Sequence, residues 1–129
     1  MQKDYKKWTP VKITTNNVAH RPTYKEGGIY WALIGDNVGM EQDGKGELFA
    51  RPVVIVKGFS KELFWGIPLT SRRKTGTYYF SFSFQNDKTS TAILSQLRAF
   101  DTSRISGPSI GRIKTADLVE IKNRLKHLL

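Results

Sequence analysis

The side chains of this 129-residue chain best suited to hold or act on a phosphate are Arg51, Thr70, Ser71, Arg72, Arg73 and Lys74. A guanidinium keeps its charge at any physiological pH and forks two hydrogen bonds toward phosphate oxygens, so Arg51 could stabilise charge that builds on a phosphoryl group. The hydroxyl of Thr70 could donate to such an oxygen or orient a proton transfer, and Ser71 beside it adds a second donor. Glu41 offers a carboxylate for proton abstraction or for holding an arginine in place. Gln42 and Gln96 carry amides able to read base edges. Each of these residues also has a plainer reading. Taken alone, Arg51 is an exposed strand-edge arginine, Thr70 a turn residue, and Arg72, Arg73 and Lys74 a solvated turn. Glutamines that flank strands are more often structural hydrogen-bonders than readers of bases.

Twenty-one Lys and Arg against eleven Asp and Glu give a formal charge of +10 and a pI near 10.0, which points to a polyanionic partner or, more plainly, to solubility. The surplus sits at the ends. Residues 1–28 hold six basic against two acidic groups and residues 98–129 seven against three, with eight against six between them. Without cysteine the chain has no disulfide, thiolate metal site or thiol nucleophile, and two isolated histidines, His20 and His127, do not make a zinc site. Neither a metal nor an organic cofactor is expected. His127 suits the last turn of a helix and His20 a linker, so neither enters the catalytic set. The apolar runs fall far short of the roughly 20 residues of a membrane span. No apolar stretch follows the early lysines as in a secretory signal, and a cytoplasmic protein is the expectation.

Elements must position these side chains, and the apolar pattern marks strands over residues 29–33, 52–56, 63–69 and 78–84, with short ones at 92–94 and 99–100. Over 78–84 the residues alternate, placing Phe80, Phe82 and Phe84 on one face. Aromatic rows can stack bases, but a strand's apolar face more often packs a core, and Trp8, Trp31 and Trp65 are assigned to packing likewise. Several short strands of this kind favour a small, closed or half-closed antiparallel barrel. The long loop over 35–50, with four glycines, is of the type that moves or does chemistry. Near the C-terminus Thr115 suits an N-cap, Asp117 and Glu120 the positive end of a helix, and Lys122, Arg124 and Lys126 its negative end. Leu118, Ile121, Leu125 and Leu128 line one face of that helix, as barrel packing requires. Residues 4–17 could form a helix capped by Asp4, although Pro10 intrudes, and residues 20–25 read as a linker.

Four segments in order, "GGIYWALIG", "GMEQDGKGELFARPVVIV", "WGIPLTSRRKTGTYYF" and "AILSQLRAFDTSRI", together resemble the MazF/PemK family of toxin ribonucleases. The resemblance implies a mainly β (α+β) fold: a small SH3-like antiparallel barrel with a C-terminal helix over residues 27–129, preceded by an N-terminal extension over 1–26. It implies a homodimer, the toxin of a type II toxin-antitoxin system, whose partners are single-stranded RNA and an acidic cognate antitoxin. The activity implied is metal-independent endoribonuclease cleavage. There the 2′-hydroxyl attacks the adjacent phosphorus and leaves a 2′,3′-cyclic phosphate and a 5′-hydroxyl, while the protein aligns groups, moves protons and neutralises added charge.

Carried onto this chain, Arg51 of the loop-to-strand Arg-Pro and Thr70 after Pro-x become catalytic, with Glu41 of the Glu-Gln pair as candidate general base. Gln42, Ser71, Arg72, Arg73, Lys74 and Gln96 become RNA-binding residues. The chain departs from the family in its first 26 residues, in "DGKGELFA", which lengthens the loop before Arg51, and in Ser95, where relatives often carry an acid. These departures bear on sequence selectivity more than on reaction type. A non-catalytic nucleic-acid- or protein-binding module, or a gyrase-directed toxin, on the same barrel remain the alternatives, since fold alone does not separate them.

Overall fold

Residues 53–56 form an unbroken apolar run because both sides of that strand are buried. In the computed structural model, which describes residues 23–35, 49–85 and 88–129, they lie in β2 (Ala50–Gly58), between β1 (Gly28–Leu33) and β3 (Leu63–Thr70). Val54 and Val56 join Ile29, Ile67 and Leu69 in one core, and Val53 and Ile55 join Tyr30, Ala32 and Phe64 in the other. Strands buried on one face only should alternate, and β4 (Tyr79–Gln85) does. There Phe82 is buried, and Phe80 and Phe84 pack against the first core, as their spacing predicts.

β5 (Lys88–Ile93) extends the expected strand at 92–94 toward its N-terminus, and β6 (Arg98–Asp101) pairs with β3. The helix α1 (Thr115–Leu128) covers the first core through Ile121, which is fully buried, and the half-buried Leu118, Leu125 and Leu128. Glu26 ties the helix to the sheet: its carboxylate accepts the Gly58 N–H at 2.9 Å and lies 3.8 Å from Lys122 Nζ. His127 sits in the last helical turn, its Nδ1 2.8 Å from the Asn123 carbonyl oxygen.

With β7 (Ile105–Arg112), the described strands form one seven-stranded sheet in the order β4-β5-β3-β2-β1-β7, with β6 off this path on β3. The sheet curls without closing its ladder. Its two ends meet through side chains: Gln85 donates to the Ile110 carbonyl at 3.4 Å, and the Phe84 ring fills the space where a Cβ would stand on Gly111.

Three expectations are corrected. No apolar run marks a strand over residues 105–112, yet β7 (Ile105–Arg112) lies there on the edge of the sheet. Gly107, Pro108 and Gly111 dilute its pattern, and the register shows why they fit. Ile29 pairs with Gly111 and Trp31 with Ser106, so four residues of β7 bulge out opposite Tyr30. A proline is tolerated at such an edge bulge, and Gly107 takes the positive φ of 83°. Thr115 is the first helical residue rather than the cap; Lys114 holds the N-cap position, its carbonyl accepting the Leu118 N–H at 3.0 Å.

Trp31 and Trp65 are not core residues, each being 42% exposed. Strand alternation turns Trp31 away from Tyr30 and Ala32, and Trp65 away from Phe64. Trp65 meets only an edge-on Phe59 ring at 5.0 Å among the ring pairs described. Trp8 and the helix expected over 4–17 lie outside the described residues.

Gly111→Ala should cost about 1–3 kcal/mol, the usual penalty for overpacking. If the Phe84 ring is the obstacle, the cost in a Phe84→Leu background, read by urea denaturation of the four-member cycle, will be smaller than in the wild type.

Candidate active site

β2 and β3 run side by side as far as the pairs Val54↔Ile67 and Val53↔Pro68. Pro68 has no N–H with which to extend a ladder. Beyond it Leu69 and Thr70 pair instead with Ala92 and Thr91 of β5, while β2 stays with β1 through Ala32↔Arg51 and Leu33↔Ala50. The two strands therefore part, and a cleft of about 640 Å³ opens beside the divergence. Its lining comes from Ile34 and Phe49 to Arg51 on the β1–β2 side, Pro68 of β3, and Gln96 to Arg98 leading into β6.

Arg51 and Thr70 each lie two residues beyond the Val53–Pro68 pair, so strand alternation turns both to the side of the sheet that this pair faces. Arg51 is exposed and lines the cleft. Thr70 is half-buried, and its Oγ1 accepts the backbone N–H of Arg72 at 3.2 Å. That bond uses a lone pair of the hydroxyl and leaves its proton as a donor.

Gln96 reaches the same cleft by a different route. It ends a 3-10 turn over Leu94–Gln96 whose first residue is buried in the core under α1. Leu94 N–H donates to the Tyr78 carbonyl at 2.8 Å, fixing the turn to the start of β4. The structure thus unites Arg51 and Gln96 in one lining, with Thr70 next along β3. Ser71, Arg72, Arg73 and Lys74 stand apart from that lining, exposed on the turn that follows Thr70. Lys74 Nζ lies 5.6 Å from the centroid of the Tyr79 ring. Glu41 and Gln42 fall outside the described residues.

Two residues of the lining carry chemistry that the sequence reading passes over. Arg98 brings a second guanidinium, seated 4.7 Å from the Phe100 ring centroid, and Phe49 brings an aromatic ring. Period-two spacing was the available signal, because Phe49 precedes Arg51 by two residues and Arg98 follows Gln96 by two. Among the described residues, two arginines and no carboxylate border the cleft. A half-enclosed wall screens such charges less than open solvent does, so the cleft favours an anion. Among these residues, too, no group of three or more His, Cys, Asp and Glu could hold a metal.

This sheet, helix and cleft fit one family, and the sequence profile of the PemK-like, MazF-like toxins of type II toxin-antitoxin systems matches residues 25–129. The chain belongs to that family. Among curated proteins, no sequence matches it. Solved structures share its fold at low identity. A mycobacterial endoribonuclease in complex with its cognate antitoxin superposes with a TM-score of 0.61 at 16% identity, covering 82% of this chain and 92% of that one. MazF from Deinococcus radiodurans gives 0.60 at 17%, covering 83% and 96%, and the toxin MazF-mt6 of Mycobacterium tuberculosis 0.58 at 13%, covering 78% and 93%. No helix among the described residues is long and apolar enough to cross a membrane.

Since Arg51 is exposed, Arg51→Ala should change the folding free energy by no more than about 0.5 kcal/mol. Thr70→Ala, which loses the bond from Arg72, should cost roughly 0.5–1.5 kcal/mol, with Thr70→Ser recovering most of it. Urea denaturation checks both, and a collapse of either variant would make these side chains part of the scaffold instead.

Proposed function

We propose that this protein is the toxin of a type II toxin-antitoxin pair and acts as a metal-independent endoribonuclease on single-stranded RNA. The observation that carries this reading is the strand divergence at Pro68, which turns Arg51 and Thr70, distant in the chain, to one side of the sheet beside an anion-favouring cleft. The scissile phosphate sits on that side. Arg51 takes the phosphoryl oxygens on its paired N–H donors and counters the charge gained when the 2′-hydroxyl attacks phosphorus. Thr70, held by the Arg72 N–H, donates its proton to a phosphoryl oxygen.

Breakage of the phosphorus–5′-oxygen bond then yields a 2′,3′-cyclic phosphate and a 5′-hydroxyl. Glu41 is proposed as general base, or as the carboxylate that orients Arg51. Gln42, Gln96 and Ser71 contact the flanking nucleotides, and Arg72, Arg73 and Lys74 draw in the backbone phosphates. The protein works as a cytoplasmic homodimer without a cofactor. Its inhibitor is an acidic antitoxin that neutralises the same basic surface, in keeping with the mycobacterial neighbour solved with its cognate antitoxin.

Purified protein incubated with mixed-sequence single-stranded RNA in excess chelator should produce fragments with 5′-hydroxyl ends. Arg51→Ala and Thr70→Ala should each lower the cleavage rate by about 100-fold or more, the usual loss when a donor to a developing oxyanion is removed. Wild-type cleavage that vanishes on chelation, or that persists unchanged in both variants, would refute the mechanism. Replacing Arg72, Arg73 and Lys74 by Ala together should flatten the plot of log affinity against log salt by about 0.7 for each lost phosphate contact.

A further inference from the structure

The described surface of this chain carries several exposed aromatic residues, and they differ in what surrounds them. Phe59 and Trp65 contact each other, and strand alternation places Trp31 and Trp65 on the side of the sheet away from Tyr30, Ala32 and Phe64. Phe49 is different. It is 54% exposed, and it is the one aromatic ring in the lining of the cleft that holds Arg51 and Gln96. Its backbone is fixed: the carbonyl of Phe49 accepts the Ile34 N–H at 2.6 Å, and the next residue, Ala50, is in register with Leu33 of β1. Phe49, Arg51 and Val53 follow one another at the spacing that places side chains on one face of a strand.

Leaving so large an apolar ring 54% exposed forgoes burial that would stabilise the fold. A flat π-face beside a guanidinium, in a cleft bordered by a second guanidinium, matches the repeating unit of a single-stranded nucleic acid: one base and one phosphate. Arg98, whose guanidinium carbon lies 4.7 Å from the Phe100 ring centroid, borders the same cleft and brings the second positive charge for that phosphate.

We infer that Phe49 is a base-stacking platform for the nucleotide that flanks the phosphate on Arg51, with Arg98 contacting the neighbouring phosphate. Stacking accepts every base but rewards large ones, so Phe49 sets the affinity for single strands and biases which nucleotide lies beside the cut. This inference rests on the cleft being a single-stranded RNA site, and it does not require that the cleft be catalytic.

The test uses the full-length protein and a fluorescein-labelled, mixed-sequence 2′-O-methyl oligoribonucleotide. That probe lacks the nucleophile and therefore reports binding alone. Phe49→Ala and Phe49→Leu should each weaken binding about 5- to 100-fold, whereas Phe49→Tyr and Phe49→Trp should stay within about threefold of wild type. Loss in Leu as well as Ala separates stacking from simple apolar contact. Arg98→Ala should weaken binding and reduce the salt slope by about 0.7.

Fragment ends from a mixed RNA pool should show a changed base preference next to the cut in Phe49→Ala. If the wild type cleaves RNA and Phe49→Ala binds and cuts with unchanged affinity and preference, the platform is disproved while the nuclease stands. If the wild type binds the probe in a Phe49-dependent way but cuts no RNA, the platform stands and the nuclease falls. No binding of the probe by the wild type overturns the platform.

Discussion

The site depends on where a single proline interrupts a ladder. β2 and β3 are partners for most of their length, buried on both faces, and after a bulge between Ile55 and Lys57 their pairing runs without a break to Val53↔Pro68. At Pro68 the chain loses an N–H and β3 parts from β2, while on its opposite edge Leu69 and Thr70 pair with β5. A ladder that continued past that pair would set the first residues of β2 against the last of β3 and leave no room between them. Because the strands part, β2 keeps Arg51 on β1 while β3 carries Thr70 along β5, and a cleft opens beside the divergence. Among the described residues, the cleft is thus a consequence of sheet topology, walled by the parting strands and by the turn that carries Gln96.

Charge acts on this geometry at two ranges. Arg51 and Arg98 border the cleft itself, where partial enclosure strengthens their pull on an anion. Arg72, Arg73 and Lys74 stand exposed on the turn after Thr70, where solvent and salt weaken each contact but the sum still attracts a polyanion. The division suits a nuclease acting on single strands. On the proposed reading, the exposed cations gather the substrate without regard to its sequence, and the few groups inside the cleft choose which phosphate is placed for attack. The formal charge of +10 is therefore more than a means to solubility, since part of it is collected beside the one place where two strands diverge.

Much of this was readable in the residues. Unbroken apolar runs marked β1 to β3 because those strands are buried on both sides, and alternation marked β4 because it is buried on one. The helix showed itself through Leu118, Ile121, Leu125 and Leu128 at helical spacing. β7 was illegible because an edge strand with a bulge can carry two glycines and a proline, residues that ordinarily end strands. Trp31 and Trp65 misled because residue type speaks for burial: each shares a strand face with members of the first core, Ile29 and Ile67, yet stands 42% exposed and outside that core. The approach of Arg51 to Thr70 lay deeper still. It follows from a register whose last pair, Val53↔Pro68, joins residues fifteen apart in sequence, and register is a property of pairing that neither strand states alone.

Phe49 shows the same limit from the other direction. In the sequence it follows Leu48 at the end of a glycine-rich stretch, and it reads as part of the long loop over 35–50. Its meaning comes from Ala50↔Leu33 and from the Ile34–Phe49 backbone bond, which fix it on the wall that Arg51 shares. Sealing that ring into the core would add stability, and the chain instead keeps it half in water beside two guanidiniums. Exposure of this kind is consistent with a surface shaped by binding rather than by folding. A strand end that has lost its partner is where such a surface can arise, because there a side chain belongs to a rigid element and yet faces no neighbour across the sheet.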